Sequence, residues 1–365
     1  MKKKNEQTST PIPIRKSFIA ANGYNGFRSR YKEVFNSQDF EHIFVLKGGP
    51  GTGKSYTLQE FANAGIKAGA ACEYIYCSSD PESLDGVILE KNRSRIAMLD
   101  GTAPHTRCAD FPGIIDEIVD LGNFWDKAAL KENRDEIYVL SQKKSLHYHY
   151  AYRYLRIAGE ADAFLKELVS KCLLVEKMCS AAQREVRHLS SDNCKCAKEE
   201  VRYINACSMR GYMRLPVPSN VKTISISDHL FSARFYLVVL RDLLRKIEGI
   251  SFCIYPSCYS DEDLEGIYLP QNNILYLKNG ESCERNINMK RFLSPQQISL
   301  YREDIRRTLK LRNSMQEQAC ASLREAGRYH FALEKLYGTA MDFSKKELYT
   351  KNLVQRAIAY LSGGR

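Results

Sequence analysis

Nowhere in the 365 residues does an apolar run approach the roughly 18 needed to cross a bilayer, so no membrane-spanning helix is expected. The first residues, Met1-Lys2-Lys3-Lys4-Asn5-Glu6-Gln7-Thr8, are charged and lead into no apolar signal core. They read as a disordered lead-in closed by Pro11 and Pro13, and a cytoplasmic location is the expectation. Twelve cysteines are present, but no secretion signal accompanies them, so free and mostly buried thiols are expected. Cys194-Lys195-Cys196 is the closest pair, and it lacks the second pair that a zinc ribbon requires.

Charge of one sign is scarce only in the second half. Residues 1–200 carry 29 Lys and Arg against 27 Asp and Glu, a net of +2. Residues 201–365 carry 25 against 16, a net of +9. Such a surplus suits nucleic acid, an anionic membrane surface or an acidic protein. Here the bases are interleaved with acids, which favours a solvated surface.

What is there is organised around Gly48-Gly49-Pro50-Gly51-Thr52-Gly53-Lys54-Ser55, which satisfies G-x-x-x-x-G-K-[ST] at every required position. Ile43–Leu46 before it suits a buried strand, and Tyr56–Ala64 after it can be helical. In that order, backbone N–H groups and a helix N-terminus can converge on phosphate oxygens. The predicted nucleotide-binding residues are Gly48 to Ser55 together with Tyr56. Lys54 should reach the β- and γ-phosphates, and Ser55 should ligate Mg²⁺. No Asn-Lys-x-Asp element for reading guanine is found, which favours ATP.

Farther along, Cys72–Cys77 reads as a second strand, Ser78–Gly86 as a polar loop and Ile96–Leu99 as a third strand ending at Asp100. An apolar strand ending in Asp suits a second Mg²⁺ ligand at the carboxyl edge of a parallel sheet. Gly101 follows, where many such ATPases place a catalytic Glu. The residue that orients water or accepts a proton must then come from elsewhere, and Asp80, Asp85 and His105 are the candidates. Phe18–Phe27 reads as a turn leading to a short helix near Arg30–Phe35. Trp125–Leu189 and residues 295–360 read as long helices.

A fixed-offset comparison shows an internal repeat. Leu84-Asp85-Gly86-Val87-Ile88-Leu89 recurs 180 residues later as Leu264-Glu265-Gly266-Ile267-Tyr268-Leu269. Leu155-Arg156-Ile157-Ala158-Gly159 recurs as Leu323-Arg324-Glu325-Ala326-Gly327. At the same offset of 180 the glycine loop falls on Asp228-His229-Leu230-Phe231-Ser232-Ala233-Arg234-Phe235. All its glycines are gone, Asp228 would repel phosphate, and Arg234 stands in the place of Lys54. Asp100 falls close to Lys278. The second half therefore reads as a copy that keeps its strands, Thr223–Ile226, Phe252–Tyr255 and Ile274–Leu277, and has lost a nucleotide site.

Through Lys47–Ser55, Cys77–Gly86 and Asp100–His105 the chain resembles the P-loop NTPase superfamily. More narrowly it is similar to a poorly characterised family of bacterial ATPase-like proteins with two tandem P-loop domains. The resemblance implies ATP binding and hydrolysis, with a phosphate loop in each half. This chain departs from that pattern in the second loop.

The expected fold is α/β: a P-loop parallel sheet flanked by helices and duplicated in tandem, each half with a long helical extension. The expected domains are 1–200, which binds nucleotide, and 201–365, a degenerate copy serving as scaffold or partner-binding module. The leading function is Mg²⁺-dependent ATP hydrolysis at one site, with Lys54, Asp100, Asp80, Asp85 and His105 as catalytic candidates and Arg234 as an arginine finger. The alternatives are a small-molecule or nucleotide kinase, a nucleotide-gated interaction module with an unknown protein partner, and a nucleic-acid motor. The last lacks a helicase motif set.

Overall fold

The computed structural model describes residues 14–103, 109–189, 198–218, 221–281 and 283–361. The first half begins with strands β1 (Ile14–Phe18), β2 (Ala20–Gly23) and β3 (Gly26–Ser29) and a short helix, α1 (Tyr31–Val34). It continues with β4 (His42–Lys47), α2 (Lys54–Lys67), β5 (Ala71–Tyr76), β6 (Leu84–Lys91), β7 (Ser94–Asp100) and β8 (Asp116–Asp120). It ends in three helices, α3 (Lys127–Glu132), α4 (Arg134–Ser170) and α5 (Val175–Val186). The second half repeats this order without counterparts of α1 and α3: β9 (Lys198–Val201), β10 (Asn205–Ser208), β11 (Gly211–Arg214), β12 (Lys222–Ser227), α6 (Ala233–Leu244), β13 (Ser251–Pro256), β14 (Leu264–Leu269), β15 (Ile274–Lys278), β16 (Arg285–Asn288), α7 (Pro295–Thr339) and α8 (Phe343–Tyr360).

Each half builds one six-stranded sheet. The orders β1-β5-β6-β7-β4-β8 and β9-β13-β14-β15-β12-β16 are the same topology twice. The chain is therefore α/β in two similar halves, but its sheets are mixed and not parallel. β6 runs antiparallel to both β5 and β7, and β14 to both β13 and β15. The physical cause is local. Lys91 pairs with Ser94, so two residues, Asn92 and Arg93, join β6 to β7. Both have positive φ, +50° and +72°. That is a type I′ hairpin turn, and such a connection can join only antiparallel strands. The segment read from sequence as a turn, Phe18–Phe27, instead carries the β2–β3 hairpin.

Alternate residues of β4 supply both faces. Phe44 and Leu46 pack with Leu58, Phe61 and Met98, while Ile43 and Val45 pack with Phe35, Ile88 and Leu99. The buried run at 43–46 thus marks a strand covered on both sides.

The halves meet about an approximate two-fold axis. Phe18 and Tyr203 exchange both backbone hydrogen bonds, each 2.8 Å. The Tyr24 N–H donates to the Tyr259 carbonyl, and the Met209 N–H to that of Ser79. The long helices α4 and α7 pack along one another. Their ends cross over: Leu174 N–H donates to the Phe292 carbonyl, and Asp342 N–H to that of Phe124. As a result each sheet is completed by the other half's last helix. Leu353, Val354, Ala357 and Leu361 at the C-terminal end join the core of the first sheet beside α2. Met178, Ala181 and Ala182 of α5 join the core of the second beside α6. Among the described residues no helix is long and apolar enough to cross a membrane.

Candidate functional site

Between β4 and α2 the backbone turns through three glycines of positive φ: Gly48 at +154°, Gly51 at +70° and Gly53 at +73°. Gly53 occupies the position preceding α2 in the left-handed conformation, so no side chain caps the helix. No acidic residue lies in the first turn of α2 either. An uncapped helix N-terminus presents N–H donors and the positive end of the helix dipole. The Lys54 ammonium folds back across the loop and donates to the Gly48 and Gly49 carbonyls at 2.9 and 2.8 Å. Its nitrogen lies 3.6 Å from Asp100 Oδ2. The Thr52 hydroxyl donates to the Gly49 carbonyl at 2.9 Å and braces the turn.

The reversal of β6 matters here. Its first residues, and not its last, lie at the edge where β4, β5 and β7 end. The Ser55 hydroxyl accepts a 3.0 Å hydrogen bond from Leu84 N–H, and Asp85 is buried next to it in sequence. Asp85 lies against the Tyr31 hydroxyl and the Cys77 thiol. Asp100 Oδ1 accepts from Thr102 N–H at 2.8 Å and from its hydroxyl at 2.6 Å. Burial raises the Asp100 carboxyl above the usual range; Lys54 opposes this and the Asp85 charge adds to it. Asp80 caps the turn before β6, accepting from Ser83 at 3.2 Å and from Arg210 of the second half at 2.8 Å. Lys54, Ser55, Asp80, Asp85 and Asp100 are therefore gathered at one sheet edge. His105 lies outside the described residues, as do Cys194 and Cys196.

Gly101 has a structural reason. A Cβ there would meet Val45 Cγ1 at 2.4 Å and the Lys47 ammonium at 3.0 Å. A side chain at this position would have to displace the buried Val45 side chain of β4.

The second half closes over the loop. A Cβ on Gly51 would lie 2.4 Å from the Glu334 carbonyl and 3.0 Å from the Gly338 nitrogen, so the end of α7 rests directly on the loop. Gly49 faces Trp125 and Tyr337. Lys346 of α8 is 2% exposed and donates to the Gly53 carbonyl at 3.0 Å. Its ammonium lies 4.6 Å from the Tyr56 ring centroid. Burial brings its pKa down to about 8. His330 and Glu334, with side-chain atoms 3.6 Å apart, complete this wall. Burial, aided by the nearby charge of Lys144, lowers His330 to about 4, so its ring is neutral near pH 7. Burial, then Asp80, raises the Glu334 carboxyl, while Lys54 and Lys144 oppose. Sequence reading missed Lys144, His330, Glu334 and Lys346, because each sits in an ordinary helical pattern. For Lys144 and His330 the helical repeat was an available signal: 168 residues separate His330 from Asp162 and Lys144 from Arg312, and both of those partners line the second site.

That second site keeps the strand–turn–helix order and replaces both the glycine backbone and the chemistry: Ser232, before α6, has φ −75° where Gly53 has +73°. Leu230 and Phe231 have φ of +54° and +61° although neither is glycine. A left-handed conformation costs such residues about 1–2 kcal/mol each. The Asp228 carboxylate caps α6, accepting from Ala233 N–H at 2.9 Å, with the Lys278 ammonium 3.7 Å away. An internal carboxylate thus takes the anion position at this helix start. Arg234, expected as an arginine finger, is brought to this cleft instead of to the glycine loop. It binds Asp162 at 2.8 and 3.0 Å and Asp263 at 3.0 Å. Arg312 adds a 3.0 Å contact to Asp162 and stacks 3.8 Å from the Phe231 centroid. Other basic residues of this half are paired within it, including Arg214 and Lys278 with Glu265. The cleft in front of these residues measures about 960 Å³.

Comparison of the chain with models of known protein families, with curated proteins and with solved structures returned no match. Among the described residues, no group of three or more His, Cys, Asp or Glu is arranged to hold a metal. Ser55 and Asp100 together supply one hydroxyl and one carboxylate.

Proposed function

We propose that the glycine loop binds ATP with Mg²⁺ and that the chain hydrolyses it at this one site. The observation that carries this reading is the loop itself. Three glycines of positive φ lead into an uncapped helix, and the Lys54 ammonium lies across them 3.6 Å from Asp100. Backbone N–H groups of Gly51 to Ser55 would cradle phosphate oxygens. Lys54 would leave its carbonyl partners for the phosphates and offset their charge. Mg²⁺, which needs only one or two carboxylates beside substrate phosphates and water, would be held by Ser55 and Asp100 and would neutralise charge developing on the phosphate oxygens. Asp80, Asp85 and Glu334 are the carboxylates available to orient water. Glu334 is held toward its protonated form by burial and by the charge of Asp80.

A second reading is a nucleotide-gated switch with slow turnover. The contact of the α7 end and of Lys346 with the loop favours it, since phosphate binding would act on helices of the other half.

The test is ATP binding and turnover of the wild type against Lys54→Ala. Loss of a charge-assisted contact of about 1.5–3 kcal/mol predicts affinity at least tenfold weaker and loss of turnover. Unchanged binding in Lys54→Ala would refute the site. Tight binding without turnover would select the switch, and stimulation by DNA or RNA would reopen the basic second half as a nucleic-acid surface.

A further inference from the structure

Three thiols meet where the β10–β11 hairpin touches α7. Cys207 of β10 and Cys258 are fully buried, and Cys320 of α7 is 8% exposed. The sulfurs of Cys207 and Cys320 are 3.2 Å apart. Closing them to the roughly 2.05 Å of a disulfide takes about 1.2 Å of movement. Cys320 lies on the wall of the second cleft, which gives a small molecule access to one member of the pair. We propose that Cys207 and Cys320 form a redox-active dithiol that a peroxide oxidises to a disulfide linking β10 to α7.

The two thiols have distinct roles. A hydrogen bond from Cys207 favours the Cys320 thiolate; burial opposes this, and the Arg324 charge adds to it. Cys207 is pushed up by the same hydrogen bond and by burial. The Tyr259 hydroxyl hydrogen-bonds both. Cys320 is then the attacking sulfur, because the thiolate is the nucleophile. It attacks one peroxide oxygen, the O–O bond breaks, and hydroxide leaves and takes up a proton to become water. The resulting Cys320 sulfenic acid is attacked by the Cys207 sulfur. The S–O bond breaks, and its oxygen leaves as a second water with the Cys207 proton. Two thiols and one peroxide give one disulfide and two waters. Oxidation would pin α7 at Cys320, on the helix whose far end carries Glu334 onto the glycine loop.

The test is graded hydrogen peroxide on the full chain, followed by alkylation under denaturing conditions and peptide mass mapping. The exposed Cys283 serves as an internal reference. The wild type should lose two alkylatable thiols and yield a Cys207–Cys320 linked peptide, lighter by two hydrogens and reversed by dithiothreitol. Cys320→Ser should abolish the link, whereas Cys258→Ser should retain it. Mapping the wild type alone decides the matter if a variant fails to fold. The proposal fails if Cys207 and Cys320 both remain alkylatable when Cys283 is oxidised, or if the link joins Cys258 instead.

Discussion

Replacing Lys346 with Met should make the protein more stable near neutral pH. Lys346 is 2% exposed, and among the described residues it forms no ion pair. Its partners are the Gly53 carbonyl and the Tyr56 ring. Its pKa of about 8 lies well below the ordinary lysine value of roughly 10.4, a difference worth ~3 kcal/mol. Because the unfolded chain binds the proton more tightly, this is a penalty on folding. It is fully present below pH 8 and is relieved as pH rises toward the unfolded value. Methionine removes it and forfeits one hydrogen bond, worth about 1 kcal/mol. The Gly53 carbonyl is not orphaned, since it still accepts from Thr57 N–H at 3.1 Å and from the Thr57 hydroxyl at 3.2 Å. A net gain of about 2 kcal/mol is expected at pH 7, shrinking and then reversing by about pH 10. Urea unfolding of both proteins at several pH values measures it. Parallel stability curves for wild type and Lys346→Met, or a variant less stable at pH 7, would refute the assignment of a buried, destabilised cation beneath the loop.

Gly51→Ala places a Cβ at φ +70° and 2.4 Å from the Glu334 carbonyl, which as backbone cannot swing aside. Left-handed strain and overpacking together predict a loss of about 2–4 kcal/mol in denaturant unfolding; a change within about 0.5 kcal/mol would show that α7 does not rest on the loop. Asp162→Ala removes the carboxylate shared by the buried Arg234 and Arg312 and should cost about 3–5 kcal/mol. Asp162→Asn, which keeps a hydrogen-bonding oxygen but no charge, should also lose most of this, and an Asn variant with the wild-type unfolding midpoint would deny the ionic role.

How much of this was legible in the sequence depended on how local its cause was. The glycine loop, the buried strand before it and the helix after it are fixed within a dozen residues, and they stand where the motif put them. The repeat was legible because Leu84–Leu89 and Leu264–Leu269 occupy the same place in the two sheets. The strand β6 was not, since Leu84–Gly86 reads as the end of a polar loop, and neither was its direction. It hangs on Asn92-Arg93, an uncommon pair for a type I′ turn, since Arg gives little signal for positive φ. Edge strands β1 and β9 pair with β5 and β13, more than 50 residues away, and the halves join through Phe18 and Tyr203, 185 residues apart, which no local pattern encodes. The fate of Arg234 was hidden for the same reason. Standing in line with Lys54 suggested a phosphate partner, but Asp162 reaches it from a helix of the other half. Lys346 reads as a solvent residue of an amphipathic helix until the sheet it covers is known.

The exchanged last helices have a consequence for how such a chain could arise and be taken apart. A single half on its own would expose the groove beside α2 or α6 that the other half's helix fills. Two identical copies of that half could each close the other's groove by trading helices, the arrangement of a domain-swapped homodimer. The present chain has the form of that dimer joined end to end, and the join frees the copies to diverge. One half carries the glycines, while in the other Asp228 accepts from the helix start and Phe231 takes the left-handed conformation. The two pieces on either side of the join should therefore be insoluble when made separately and recover the fold when produced together.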